Sequence, residues 1–226
     1  MNKQTLAKTL NNTLKGDVIM KKAGEEILEL LGGTGVDFFQ QVFEENLEDR
    51  RILINDGIDS GVIEKVVMQI LKYNKEDKGK DATQRKPIYL LINSLGGDVF
   101  NGSNVCDIIQ QSKTPVIGVT LSYAMSMSLI ILESCHTRIA FKNSVLLLHD
   151  GSLTLSNSSK KAKSTMQFYD ELDKRVKDLV LEKALITSEQ YDEYSEDEYY
   201  MFADKAKELG FIDKIVGEDI SLEEIL

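Results

Sequence analysis

The chain has 226 residues, enough for one α/β domain with a full core and an appendage, but short for two independent domains. Its 42% hydrophobic and 28% charged residues are ordinary for a globular protein, and no apolar run is long enough to span a bilayer. The net charge of −10 argues against nucleic acid as a partner, because phosphate binding needs clustered lysine and arginine. We therefore expect a protein that binds neither nucleic acid nor a membrane.

Residues 1–36 are predicted to form an N-terminal extension, followed by one domain over residues 37–226. The extension has a polar start and a short helical pattern that stops at Gly32-Gly33. No continuous apolar stretch follows the first basic residues, so we expect no secretory signal and a cytoplasmic location. Cys106 and Cys135 lie in apolar sequence without metal-ligand spacing, which predicts small buried side chains.

Short apolar runs rich in branched residues, bounded by Gly, Pro, Asn or Asp, predict buried strands at Arg51–Ile54, Ile88–Ile92, Val116–Leu121, Ile139–Phe141 and Val145–Leu148. Amphipathic helices are predicted between them. The clearest follows Ser60 and places on one face the apolar residues Val62, Ile63, Val66, Val67, Ile70 and Leu71. Strands that alternate with helices indicate parallel pairing through crossovers, and hence a layered α/β domain.

The last third of the sequence is helical in pattern. A long helix is predicted from about Ser159 to Leu185, with a stripe of apolar residues and charges elsewhere. Thr187 followed by Gln190 is a capping-box pattern that predicts a further short helix. Gly210 is predicted to end another helix.

A double glycine follows the second predicted strand, in the segment Ile92-Asn93-Ser94-Leu95-Gly96-Gly97-Asp98-Val99. Because glycine has no Cβ atom, the backbone there can approach a ligand closely and turn free N–H groups toward a developing oxyanion. An ordinary tight turn is the alternative interpretation.

Ser126 lies directly after the third predicted strand, at the start of an apolar helical run. A hydroxyl at a strand-to-helix junction is held near the positive end of the helix dipole, which suits a nucleophile. The alternative is a small residue that packs against a neighbour.

His149 follows the strand Val145–Leu148, where the chain leaves the core. An imidazole in this position can be half shielded and half accessible, which suits a general base. A core histidine with satisfied hydrogen bonds is the competing interpretation. The other histidine, His136, lies in a polar turn and is expected at the surface.

These segments, taken together and in this order, resemble the proteolytic subunit of the Clp protease, the ClpP family. Ile92–Val99 is similar to the family's glycine motif, and Met125-Ser126-Met127 is similar to the segment around its nucleophile. The spacing between Gly97 and Ser126, 126 − 97 = 29, equals that of the family pattern. The resemblance covers about Val36 to Val216, and it implies a ClpP/crotonase-like fold with a long handle helix.

The resemblance implies a role for each matching residue. Ser126 would attack the scissile carbonyl, His149 would take the proton of Ser126, and the amides of Gly97 and Met127 would form the oxyanion hole. The third member of the triad is less well defined. Glu198 stands where the family has an aspartate, and Asp197, one residue earlier, is the alternative.

The function implied is that of a serine endopeptidase which cleaves peptides or unfolded polypeptides inside a ring-shaped homo-oligomer, a heptameric ring or double ring. No phosphate-binding loop motif occurs in the sequence, so ATP would be used only by a partner, an AAA+ unfoldase, and no cofactor is expected.

Several residues depart from the family pattern. Ser122 and Ser128 replace glycines, Leu95 replaces a proline, and the acidic run 196–198 lacks the arginine that helps to join two rings. These departures leave open a catalytically impaired scaffold of this family. A crotonase-like acyl-CoA enzyme, which would not depend on Ser126, is a further alternative, because that superfamily shares the oxyanion-hole architecture.

Overall fold

The computed structural model describes residues 38–151 and 159–225. The N-terminal extension predicted over residues 1–36 lies outside this part of the chain. The chain divides into two units, and the second of them, Asn46–Leu226, contains the sheet and every site discussed below.

The helices are α1 (Phe38–Glu48), α2 (Met68–Glu76), α3 (Val99–Gln111), α4 (Met127–Ser134), α5 (Ser159–Leu181), α6 (Ser188–Glu196) and α7 (Ala203–Glu208). A π-helical segment, Ile63–Val67, leads into α2, and short 3-10 turns lie at Ala82–Gln84 and Leu222–Glu224. The strands are β1 (Arg51–Ile54), β2 (Ile88–Ser94), β3 (Val116–Met125), β4 (Thr137–Phe141), β5 (Val145–Leu148), β6 (Tyr199–Phe202) and β7 (Lys214–Val216).

The strands form one sheet in the order β1-β2-β3-β4-β7, in which all neighbouring strands are parallel. β3 is long enough to change partner: Ile117–Thr120 pairs with β4, and Tyr123–Met125 pairs with β5. β6 then adds to β5 in the antiparallel direction. The predicted layered α/β fold, with mainly parallel pairing and a long helix α5, is therefore confirmed.

Several details differ from the sequence prediction, among them the end of β2 at Ser94 and the start of β4 at Thr137. β3 continues past Leu121 to Met125, because the polar residues after Leu121 still pair with β5. α5 ends at Leu181 rather than at Leu185. Leu71, which was predicted on the buried face of its helix, is 45% exposed, because the π-helical segment before it widens the turn and rotates the later residues away from the sheet.

Helix α4 lies within the core, and all eight of its residues are buried. Its apolar side chains pack in one cluster with residues of the sheet and of the surrounding helices. Cys106 and Cys135 are free and buried, as predicted. Because α4 begins directly after Ser126, this packing fixes the position of the chain at that serine.

A buried ionic group joins α4 to the C-terminal part of the chain. Arg138 Nη1 lies 2.7 Å from Glu133 Oε2, and Arg138 Nη2 lies 2.7 Å from Asp213 Oδ1. Glu133 is fully buried, and among the described residues its Oε1 has no hydrogen-bond partner. Burial raises the pKa of Glu133 to about 8, against the opposing effect of Arg138.

Candidate active site

Ser126 lies at the tight junction between β3 and α4. Its backbone has φ 53° and ψ −129°. Among the described non-glycine residues, only Arg50 also has a positive φ. The Ser126 N–H donates to Leu147 O at 3.0 Å, and Ser126 O accepts from Leu129 N at 2.9 Å. The surrounding hydrogen bonds therefore hold a strained backbone at the N-terminus of a buried helix, as expected of a functional position.

The double glycine forms a loop that is tied to Ile58. Ile58 N donates to Gly96 O at 2.8 Å, and Asp98 N donates to Ile58 O at 2.7 Å. These two hydrogen bonds use the carbonyl of Gly96 and the N–H of Asp98, so the N–H of Gly97, which lies between them, takes no part in either. The Met127 N–H is the first of its helix and has no acceptor within the helix.

Gly96 lies against the Ser126 turn. A methyl group on Gly96 would stand 2.6 Å from Met125 O, 2.7 Å from Ser126 Cβ and 2.9 Å from Met127 N. These distances are shorter than ordinary van der Waals contact, so the loop reaches this close to the turn only because Gly96 has no side chain. The structure thus brings the predicted nucleophile and the predicted glycine loop together.

Ser128 joins these two segments. Its buried hydroxyl accepts from Met125 N at 2.8 Å and lies 2.7 Å from Ser94 O, within donating distance. One side chain thus connects the end of β2, which precedes the glycines, to the turn that carries Ser126. Sequence reasoning recorded Ser128 only as a departure from the family pattern and missed this positioning role.

His149 and Glu198 are brought together by the pairing of β5 with β6. Leu148 is the partner of Tyr199, so the next antiparallel pair is His149 with Glu198. His149 Nδ1 lies 3.9 Å from Glu198 Oε1, and Tyr200 Oη donates to Glu198 Oε2 at 3.1 Å. Asp197 follows the C-terminal end of α6, one position away from this register.

One cavity of about 590 Å³ contains both Ser126 and His149 in its wall, together with Met127. His149 is about a quarter exposed, which leaves its ring open to this cavity. Among the described residues, no hydrogen bond joins the Ser126 hydroxyl to the His149 ring, and Gly97, Asp197 and Glu198 are not in the cavity wall. The arrangement presents a hydroxyl, an imidazole and free amides within one region, as acyl transfer requires.

His136 is exposed, as predicted, and has a structural role: its Nδ1 accepts from Val116 N at 3.0 Å. Within residues 38–151 and 159–225, no group of three or more His, Cys, Asp or Glu side chains is placed to hold a metal ion. No helix in that same part of the chain is long and apolar enough to cross a membrane.

Comparison with known proteins gives a consistent match. The family profile described as Clp protease matches residues 35–219. The chain is 26% identical over 194 residues to the ATP-dependent Clp protease proteolytic subunit 3 of Parasynechococcus marenigrum (strain WH8102), covering 83% of this chain and 92% of the relative. It is also 26% identical over 174 residues to the ATP-dependent Clp protease proteolytic subunit 2 of Prochlorococcus marinus (strain MIT 9312), covering 74% and 81%.

Proposed function

The chain belongs to the Clp protease family, a family of serine peptidases, and we propose that it is itself an active serine endopeptidase with Ser126 as nucleophile and His149 as general base. The observation that carries this proposal is the backbone of Ser126. It is strained, fixed by α4, closely approached by a glycine loop, and open to the same cavity as His149. A serine that served only as packing would need none of these features.

In the proposed reaction, Ser126 Oγ attacks the carbonyl carbon of the scissile bond while the His149 ring takes the hydroxyl proton. The new oxyanion accepts hydrogen bonds from the N–H groups of Gly97 and Met127. The intermediate collapses when the carbon–nitrogen bond breaks and the imidazolium gives its proton to the leaving amine. Water, deprotonated by the same ring, then hydrolyses the acyl-enzyme and frees Ser126.

Glu198 is proposed as the acid that orients His149 and stabilises the imidazolium. Two observations favour it over Asp197: the strand register that sets Glu198 opposite His149, and the 3.9 Å between Nδ1 and Oε1. A small rotation of either side chain brings this pair to hydrogen-bonding distance. The distance in the isolated subunit fits a triad that tightens when substrate or a neighbouring subunit binds.

We further propose that the protein works in the cytoplasm, in a heptameric ring or double ring fed by a separate AAA+ unfoldase. Support comes from the relatives, which are named as proteolytic subunits of ATP-dependent proteases, and from the absence of a phosphate-binding loop motif in the sequence. No cofactor enters the proposed chemistry. Alone, the protein would cleave peptides or unfolded polypeptides.

Labelling with a fluorophosphonate probe tests the nucleophile. We expect the wild-type protein to be labelled, and we expect Ser126→Ala and His149→Ala to lose the label. Ser122→Ala is the matched control, because this exposed serine lies in β3 shortly before Ser126 but not in the cavity wall, and it should be labelled like the wild type.

The remaining outcomes distinguish the rival functions. Label retained by Ser126→Ala would refute the assignment of the nucleophile and would point to another labelled site. An assembled wild-type protein that takes no label and cleaves no peptide would be a scaffold.

A further inference from the structure

Few contacts restrain the side chain of Glu198, the residue proposed to orient the imidazole. This side chain is 63% exposed and lies next to β6, which among the described strands pairs only with β5. Glutamate has one more rotatable bond than aspartate, so its carboxylate can take more orientations from the same backbone position. A group that orients a catalytic side chain must be held within about 0.5 Å of its productive position. A further contact is therefore needed at Glu198.

Tyr200 supplies such a contact. Its hydroxyl donates to Glu198 Oε2 at 3.1 Å, and within the described ranges no other group forms a hydrogen bond with the Glu198 side chain. The second carboxylate oxygen, Oε1, lies 3.9 Å from His149 Nδ1. The two oxygens of one carboxylate are thus divided between the tyrosine and the histidine. Rotation of the carboxylate about its last bond would break the hydrogen bond with Tyr200.

The alternation of side chains along β5 and β6 explains this arrangement. Tyr199 packs against the main hydrophobic core, so its neighbours Glu198 and Tyr200 point to the opposite face. Tyr200 pairs with Leu147, and two residues further along the antiparallel strands Glu198 stands opposite His149. The histidine, the glutamate and the tyrosine therefore share one face at the edge of the sheet. Tyr200 is diagonal to His149 and acts on it through Glu198.

The backbone between Glu198 and Tyr200 is supported from its other face. The ring of Tyr199 stacks on the ring of Tyr194 in α6, with centroids 4.0 Å apart and an angle of 7° between the planes. Stacked aromatic pairs of this kind stabilise the elements that they join. The position of the strand is thus set by Tyr199, and rotation of the Glu198 side chain is the freedom that the Tyr200 hydroxyl restricts.

The Tyr200 hydroxyl is a suitable donor for this purpose. Its hydrogen bond to Glu198, together with the charge of that carboxylate, raises the pKa of Tyr200. The phenol therefore keeps its proton throughout the neutral range, where the carboxylate is ionised and an imidazole can act as a base. The hydrogen bond persists under the conditions in which the peptidase would work.

We propose, on the basis of the serine peptidase function above, that Tyr200 is a positioning residue of the active site, and that its hydroxyl aims the Glu198 carboxylate at His149 Nδ1. With Oε2 held by the tyrosine, Oε1 is the oxygen that accepts a hydrogen bond from Nδ1–H. The other ring nitrogen, Nε2, is then left to take the proton of Ser126. Phenylalanine at position 200 would keep the aromatic ring and remove only this restraint.

Tyr200→Phe tests this role by kinetics. We expect kcat for a fluorogenic peptide, and the rate of fluorophosphonate labelling, to fall about threefold to tenfold, less than in Glu198→Gln because the carboxylate is still present. KM should change by less than about twofold, because the lost restraint concerns the chemical step and not substrate binding. Wild-type values of kcat and of the labelling rate in Tyr200→Phe would overturn the proposal.

Tyr89→Phe is the matched control. It removes another exposed tyrosine hydroxyl with a hydrogen bond of the same length, 3.1 Å to Glu224 O, from a position in β2 outside the cavity wall. We expect this variant to keep the wild-type kcat and labelling rate. An equal loss of kcat in Tyr89→Phe and Tyr200→Phe would refute a specific role of Tyr200.

A double-mutant cycle shows whether Tyr200 acts through Glu198. In the Glu198→Gln background, Tyr200→Phe should lower kcat by less than about twofold, since no carboxylate is left to orient. A tyrosine that only supported the strand would cause the same loss of kcat in both backgrounds. Additive losses would therefore refute the positioning role.

A structural measurement separates this proposal from the proposed function. Crystal structures of the full-length Ser126→Ala protein, with and without Tyr200→Phe, show the orientation of Glu198 without any catalysis. We expect Oε1 at hydrogen-bonding distance from His149 Nδ1 when Tyr200 is present, and a carboxylate turned away or in several positions in Tyr200→Phe. The same Glu198 conformation in both structures would overturn the proposal. A wild-type protein that takes no fluorophosphonate label would refute the proposed function, while these structures would still decide the role of Tyr200.

Discussion

A methyl group at Gly96 would enter the space between the glycine loop and the Ser126 turn. In Gly96→Ala this group would meet three atoms at 2.6 to 2.9 Å, two of which belong to the backbone and cannot rotate away. The loop is held on its other side by Ile58, through hydrogen bonds of 2.8 and 2.7 Å. The turn or the loop must therefore shift, and each shift displaces the nucleophile from the oxyanion donors.

Two effects lower the free energy of unfolding of Gly96→Ala. Gly96 has φ 94°, where an L-residue is strained by about 1–2 kcal/mol. The added contacts overpack a closely fitted region, at about 1–3 kcal/mol. We expect a loss of about 2–5 kcal/mol in the free energy of unfolding. A displacement of the turn approaching 1 Å would also lower the rate of fluorophosphonate labelling about 100-fold.

Gly79→Ala separates the backbone strain from the overpacking. Gly79 also has a positive φ, 87°, but a methyl group there would meet no described atom within 4 Å. Urea unfolding followed by circular dichroism should show a loss of only about 1–2 kcal/mol for this variant, with the labelling rate unchanged. Equal unfolding free energies and equal labelling rates in the two variants would refute the inferred contact between Gly96 and the turn.

Three further predictions concern the acid and the buried ion pair. Glu198→Gln should lower kcat about 10- to 100-fold with little change in KM, and Asp197→Asn should lower kcat less than about twofold. A larger loss in Asp197→Asn would instead assign the acid of the triad to Asp197. Arg138→Met should lower the unfolding free energy by about 1–3 kcal/mol, because it removes the buried hydrogen bonds from Arg138 to Glu133 and to Gly210 O, whereas Arg175→Met, at an exposed pair, should change it by less than about 0.5 kcal/mol in urea titrations. Burial raises the pKa of Glu133 to about 8, so the folded protein keeps a proton that the unfolded chain releases near pH 4.5. The contribution of Glu133 to the free energy of unfolding therefore falls as the pH rises from about 5 to 8. Urea titrations across this range should show a smaller fall for Glu133→Gln, and parallel curves would contradict the assigned direction.

Local sequence pattern was enough to predict most elements of the sheet. β1 and β5 were predicted with the bounds that the structure has, because their apolar runs are short and sharply bounded. The extension of β3 to Met125 could not be predicted, since the residues after Leu121 pair with a different neighbour and this exchange has no local signal. The order of the motifs, rather than any one of them, indicated the family.

Local pattern likewise predicts some of the site residues and not others. Ser126 and the glycine loop lie at junctions that pattern alone can locate, and their roles remain predictions. The choice between Glu198 and Asp197 depends on the register of β6 against β5, which no local pattern encodes.

Because β6 lies at an edge of the sheet, it determines how the catalytic centre would begin to unfold. Among the described strands β6 pairs only with β5, whereas the turn with Ser126 lies at the end of β3, which is hydrogen-bonded to β2 and β5. Peripheral strands detach at a lower free energy than central ones, so moderate denaturant should release Glu198 while the rest of the sheet stays intact. Peptidase activity should then disappear at urea concentrations below the main unfolding transition, and amide hydrogens of β6 should exchange earlier than those of β3.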